Sequence, residues 1–348
     1  NYPLIDGKVV GCPSHLLEPQ STNAINYSED FSNSAWSKSN STITNDNAIS
    51  PNGTLNADKL VENAVSSTHW IREVVSVSNG KVTFSIFAKK GERNFLVIRE
   101  NTLGGKFFDL SNGTINSDFN ATLVDDAKIE SYGNGWYKCS ITVTVSTSSA
   151  DFLIYVTNED GVTNYQGDGT SGIYIWGAMV EQGSFPTSYI KSNGSATTRS
   201  AETATNSGDA STFNDSEGVL MAEISTLQSS GEDIYISINN GVSNRITLRN
   251  TSALNNVVGQ CVVGGVNQAS MDYTLEDRTA NNKVSIRYKL NDFSLWVNGF
   301  KVVTDNIGSV PTSLNDLSYT NGSGVANWYG NTKQIQYFDS ALNDSDLE

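Results

Sequence analysis

The sequence predicts an all-β protein of two antiparallel β-sandwiches with little helix, and three observations carry that expectation. Asn, Ser, Thr and Gly are abundant, only 17% of residues are charged, and Val, Ile, Tyr and Phe recur in short runs. The runs alternate in polarity with a period of two and are separated by Asn-Gly, Gly-Gly and Asp-Gly pairs, which tolerate the positive φ of tight turns. No window keeps apolar residues at helical spacing for more than a turn or two. At 348 residues the chain exceeds what one core usually serves, so two domains are expected.

Residues 1–21 carry three prolines and no period, and are expected to form an extended lead-in. From 22 to 190 the β-like runs are HWIREVVSV, KVTFSIFAKK, NFLVIREN, GKFFDL, AKIESY, WYKCSITVTV, DFLIYVTN and GIYIWGAMVE. In WYKCSITVTV, Tyr137, Cys139, Ile141, Val143 and Val145 share one face, which leaves Trp136 on the polar side with Lys138, Ser140, Thr142 and Thr144. The alternation therefore poses Trp136 as either rim packing or a platform for a ligand.

Residues 191–215 hold almost no large apolar side chain and read as a Ser/Thr/Gly-rich linker. A second sandwich is expected over 216–348, from GVLMAEIST, DIYISINN, RITLRN, NVVGQCVVGG, KVSIRYKL, FSLWVNGFKVV and KQIQYFDSAL. The Asn-Gly of WVNGF is the clearest hairpin signal. The tail SALNDSDLE is the best helical candidate, with Asn343 or Ser345 as cap.

A formal charge of −15, with 22 Lys and Arg that form no run, argues against a nucleic-acid partner. No apolar run approaches the roughly 18 residues of a membrane helix, so no membrane insertion is expected. Cys12, Cys139 and Cys261 show no metal or disulfide spacing, and Cys139 lies on an apolar strand face as a small buried hydrophobe.

Several motifs resemble a module of tail and receptor-binding proteins of marine tailed bacteriophages and their bacterial relatives. They are CPSHLLEPQSTNAINYSEDFSNSAWSKSN, SPNGTLNADKLVEN, ESYGNGWYKCSITVTV, GDGTSGIYIWGAMVEQGSFPTSYI and GSATTRS, spread over residues 12–200. That resemblance implies a jelly roll of the carbohydrate-binding-module kind. GVLMAEIST, KVSIRYKLNDFSLWVNGFKVVTD and YGNTKQIQYFDSALNDSDLE are similar to concanavalin A-like, laminin-G-type domains. Together they imply an extracellular protein, on a virion tail or secreted, that binds a polysaccharide or cell-surface glycan, and a chain cut from a longer one. By analogy with phage fibres a homo-trimer would multiply weak sites by avidity. The jelly-roll resemblance also implies a structural Ca²⁺, with Asp58 and Glu181 as ligands.

Sugars stack their apolar faces on aromatic rings and leave their hydroxyls to polar side chains, so wet-face aromatics are the candidate contacts. Alternation places Trp70 with Arg72, Phe87, Trp136, Tyr174 with Trp176, and Trp296 on such faces; Trp328 falls in a loop. A glycosidase needs paired carboxylates at strand spacing, and Glu223, Glu232 and Asp233 offer none; a triad would need a nucleophile elbow, and GxSxG is missing. Of the two histidines, His15 falls in the lead-in and His69 reads as a surface or turn residue. Non-catalytic glycan binding is the expectation, and a glycoside hydrolase or polysaccharide lyase, or a structural spacer, are the alternatives.

Overall fold

The computed structural model describes residues 14–120, 123–228 and 231–348, with the backbone of Leu4–Ile5 and Lys8–Val9. The fold is all-β; among the described residues there is one short helix, and the strands of each sheet pair antiparallel. The chain divides into two compact units. One comprises Gln20–Ser200 with Leu4–Val10; the other comprises Ala201–Glu348 and takes in residues 14–19.

In the first unit two six-stranded sheets enclose one core. The Trp136 sheet runs Val124–Gly133, Trp136–Val145, Gly80–Lys90, Gly172–Gln182, Leu55–Glu62, Ser41–Ile49. The Trp70 sheet runs Thr114–Phe119, Gly104–Asp109, Phe95–Glu100, Ser149–Thr157, His69–Ser76, Ser37–Ser39. Non-consecutive strands lie side by side, as a jelly roll requires. Phe84, Ile86, Cys139, Ile141, Val143, Phe152, Ile154 and Ile175 meet between the sheets, so the alternation of WYKCSITVTV points its aliphatic face inward as expected. Asn134 and Gly135 take φ of 53° and 79°, the left-handed pair that turns the preceding strand into Trp136.

Strands outside the apolar runs are edge or surface elements. Ser41–Ile49 is the outermost strand of its sheet and mostly exposed, so selection for an apolar face is weak there and no alternation marks it.

The motif SEDFSNSAWSK closes one end of this core. Trp36 is 1% exposed, its Nε1 donates to the Tyr27 carbonyl at 2.9 Å, and its ring packs on Phe31 and Phe152. Asp30 accepts the N–H groups of Ser32 and Asn33, while Lys38 Nζ donates to the carbonyls of Ser32, Asn33 and Trp36. The loop is thus capped at both ends by charge.

The second unit pairs a six-stranded sheet, in the order Phe300–Asp305, Asp292–Val297, Asn282–Lys289, Glu217–Thr226, Gly330–Phe338, His15–Leu17, with a five-stranded one. Asn298 and Gly299 (φ 51° and 85°) make the WVNGF hairpin turn. The helix is Asp344–Leu347; Asn343 stands at its N-cap without a side-chain bond to it.

The lead-in and linker are not free. His15–Leu17 adds an edge strand beside Gly330–Phe338, and Ser21–Asn23 pairs with Thr197–Arg199. Ser207 bridges Leu317 and Phe213 is buried in the second core. Backbone pairing needs no apolar pattern, which is why composition alone reads these stretches as extended or loose. Cys139 and Cys261 are buried free thiols, and burial pushes the Cys261 thiol up to about 12. Cys12 lies outside the described residues.

Candidate functional site

The wet-face aromatics separate into three environments. On the Trp136 sheet the outer face is closed. Phe87 and Trp176 are cross-strand partners, Trp136 lies one pair further along, and all three are buried at 3%, 4% and 2% exposure. Trp136 Nε1 donates to the Ile49 carbonyl at 3.0 Å, and the Tyr189 ring sits 4.4 Å from Trp176. Tyr174 is half-buried at the edge of this cluster.

The cover is the segment 183–190, GSFPTSYI, which follows the strand Gly172–Gln182 and lies over its polar side. Lys138 Nζ donates to the Thr187 carbonyl and the Thr83 hydroxyl to that of Gly183. Glu181 fastens the segment. Its carboxylate, 1% exposed, accepts the Ser21 and Thr187 hydroxyls and the Thr187 N–H, while burial raises its pKa. Phe87, Trp136 and Trp176 therefore form a second small core rather than a platform, because the segment after Gln182 turns back and roofs them.

The expected calcium pair does not come together. Asp58 faces Ile175 across the strands, and Glu181 lies six residues further along, on the order of 20 Å away. Asp58 accepts the N–H groups of Phe31 and Asp46, each at 3.1 Å. Both carboxylates thus accept donors of the chain, and among the described residues no group of three or more His, Cys, Asp or Glu could hold a metal. These residues do not fit a shared cation.

His69 is a correction of another kind. It is fully buried, with Nδ1 2.6 Å from the Asn40 carbonyl and its ring against Tyr165, because it alternates inward with Ile71 and Glu73. Trp328, expected in an open loop, is also fully buried, in the core of the second unit.

The outer face of the Trp70 sheet is built differently. One row crosses the strands as Ser39, Trp70, Tyr155, Val97, Phe107. The row beside it reads Ser37, Arg72, Leu153, Arg99, Gly105, Phe119. An aromatic row thus lies against an arginine row, about 6.6 Å away along each strand. Val97, Phe107, Leu153 and Tyr155 are buried beneath Trp70 and Phe119, which remain half-buried.

The roof here is made of long side chains. The Arg99 guanidinium stands 4.3 Å from the Phe119 ring centroid and donates to the Tyr155 hydroxyl; that of Arg72 stands 5.9 Å from the Trp70 ring and pairs with Asp151 at 3.2 Å. Gly105 makes room for Arg99, since a Cβ there would meet the Ile98 carbonyl oxygen at 2.1 Å and Arg99 Cβ at 2.5 Å. Alternation identifies Trp70 and Arg72; Tyr155, Arg99 and Phe119 sit on the same outward parity in NFLVIREN, DFLIYVTN and the polar strand TINSDF, and only the strand order joins them.

Trp296, on the second unit, borders a groove of about 390 Å³ on the outer face of the six-stranded sheet. Trp296, Ser285, Met221 and Gln336 make one row across four strands, with Lys283, Asn298 and Phe338 beside them. The indole is 3% exposed; its Nε1 donates to Ser294 Oγ and Lys301 Nζ stands 5.4 Å from its ring.

No protein-family model and no curated protein matches this chain. Solved structures do resemble it. The carbohydrate-binding module CBM40 of a Ruminococcus gnavus IT-sialidase is 16% identical, with 41% of this chain and 91% of that one covered, at a TM-score of 0.34. The same module bound to α2,3-sialyllactose gives 17% identity over the same shares and a TM-score of 0.33. Domains LG4-5 of the mouse laminin α1 chain are 11% identical over 81% of this chain and 92% of theirs, at 0.27.

Proposed function

We propose that this chain recognises a saccharide without cleaving it, through the outer face of the Trp70 sheet. The observation that carries the reading is the Trp70–Tyr155 row, an aromatic strip on adjacent strands with ring centroids 6.3 Å apart, whose outer ring remains half-exposed beside hydrogen-bonding arginines. That combination suits a sugar, which offers a C–H face to the rings and hydroxyls to the guanidinium forks. The rings are rigid, and the arginines are already held against Trp70, Phe119, Asp151 and Tyr155, which lowers the ordering cost on binding.

A groove in the other unit supports a second, polar contact, since its Trp296 ring is as buried as Trp136 and leaves the amide and ammonium groups of the lining to meet a ligand. About 390 Å³ lies in the range of small-molecule pockets, and its lining offers the Gln336 and Asn298 amides and the Lys283 ammonium. The setting we propose is extracellular, on a tail fibre or a secreted multimodular protein; the motif resemblance over residues 12–200 supports it.

A glycan array probed with the full chain, followed by calorimetric titration of the best binder, tests the reading. Trp70→Ala should weaken binding by roughly five- to thirtyfold while the fold persists. A bound polysaccharide that is depolymerised during the titration would replace the binding reading with an enzymatic one.

A further inference from the structure

We infer that the Trp70 face selects acidic saccharides, with Arg72 and Arg99 as the two groups that read a ring-borne carboxylate or sulfate. This rests on the saccharide reading above and adds the ligand class to it. The register places Arg72 and Arg99 on either side of Leu153, two strands apart, so their Cα atoms lie roughly 9–10 Å from each other. Both guanidinium groups stand on the outward side, and each lies over an aromatic ring.

Charge accounting distinguishes the two. Arg72 is paired with Asp151, whereas Arg99 meets only neutral oxygens, the Tyr155 hydroxyl and the carbonyl and side-chain oxygens of Asn101. The arginine row therefore carries two cations, and Asp151, one step further along its strand opposite Val74, one anion. A guanidinium holds its donors in a planar fork that matches the two oxygens of a carboxylate or sulfate.

A neutral sugar would leave the surplus charge of Arg99 unmatched. An acidic one, seated with its ring on Trp70 and Tyr155, would bring its anionic group to the arginine row one step along the strands. The chain as a whole carries −15, so this local reversal of sign is what would let it approach a polyanion, and the attraction is short-ranged at physiological salt.

The test is binding of the full chain to matched pairs: oligogalacturonate with its methyl ester, and a sulfated carrageenan oligosaccharide with its desulfated form. The ester and sulfate arms separate carboxylate from sulfate as the group read. The acidic member of at least one pair should bind at least tenfold more tightly than its neutral partner, and salt should weaken it alone. Arg99→Gln and Arg72→Gln should each cost about ten- to a hundredfold against the acidic member and little against the neutral one. Asp151→Asn, which removes the competing anion, should tighten acidic binding several-fold, a gain that a misfolded variant cannot produce. Equal affinity within both pairs, or arginine variants that bind the acidic members as wild type does, would overturn the inference while leaving the saccharide reading intact. If no saccharide of either kind binds, both fall together.

Discussion

Trp70 and Trp136 occupy equivalent positions by alternation, and replacing each by alanine should have opposite consequences. Trp136 is 2% exposed, packs with Phe87 and Trp176, and satisfies the Ile49 carbonyl. Its truncation removes a whole buried indole and orphans that carbonyl, which corresponds to about 3–5 kcal/mol. A domain of this size loses roughly 2–4 °C of melting temperature per kcal/mol, so the first unit should melt about 6–20 °C lower. Trp70 is half-buried with no side-chain bond to backbone, so its truncation should cost only about 1 kcal/mol of stability. Binding should show the reverse pattern: Trp70→Ala should weaken saccharide affinity by about 1–2 kcal/mol, or roughly five- to thirtyfold, whereas Trp136→Ala below its melting point should bind as wild type. Differential scanning calorimetry and titration calorimetry on the same preparations read both quantities. A Trp136→Ala chain that melts like wild type but no longer binds, beside a silent Trp70→Ala, would refute the assignment of closed and open faces.

Other perturbations address the supporting structure. Burial raises the Asp58 carboxyl from 3.8 to about 6, so the folded state holds that proton more tightly than the unfolded chain. Stability should therefore fall as pH rises from about 4 to about 6, by up to ~1.4 kcal/mol per pH unit, and Asp58→Asn should flatten that slope in a melting-versus-pH series. Burial pushes the Glu62 carboxyl up, yet the Arg93 guanidinium, the Tyr165 hydroxyl and the Asp168 N–H hold it below the usual 4.5. Its contribution should be complete above pH 4.5 and lost on acidification below that value, and Glu62→Ala, which strands Arg93, should cost about 3–5 kcal/mol in chemical denaturation. Chelation with EDTA should leave the melting temperature unchanged, since Asp58 and Glu181 spend their oxygens on donors of the chain; a drop of several degrees would reveal a cation elsewhere. Gly105→Ala should destabilise the Trp70 sheet and weaken saccharide binding together, because the new Cβ collides with Ile98 and Arg99.

Much of the strand inventory is legible from alternation and turn residues alone. Trp136–Val145 begins and ends where its polarity pattern does, and the left-handed Asn134-Gly135 and Asn298-Gly299 turns stand where the dipeptides place them. Ser41–Ile49 and Thr114–Phe119 escape that reading because surface strands need no apolar face. His69 escapes it because a polar atom at the edge of a core is invisible until its hydrogen-bond partner, the Asn40 carbonyl, is known, and Trp328 escapes it because a loop residue carries no alternation that would point it into the second core.

The order of residues along the chain determined which side chains point to which face of each strand, since a period of two is local geometry. It placed Trp70, Trp136, Trp176 and Trp296 outward without further information. Only the tertiary structure decided which outward faces stay open. Phe87 and Trp176 are buried because GSFPTSYI, held by Glu181, Ser21 and Thr187, folds back over them. Trp70 meets Arg72, Tyr155 and Arg99 because strands distant in sequence are neighbours in the sheet. Strand order is a long-range pairing fixed by backbone hydrogen bonds, and roofing depends on where the chain after Gln182 is fastened by Glu181 and Ser21; neither leaves a mark in the alternation of a strand.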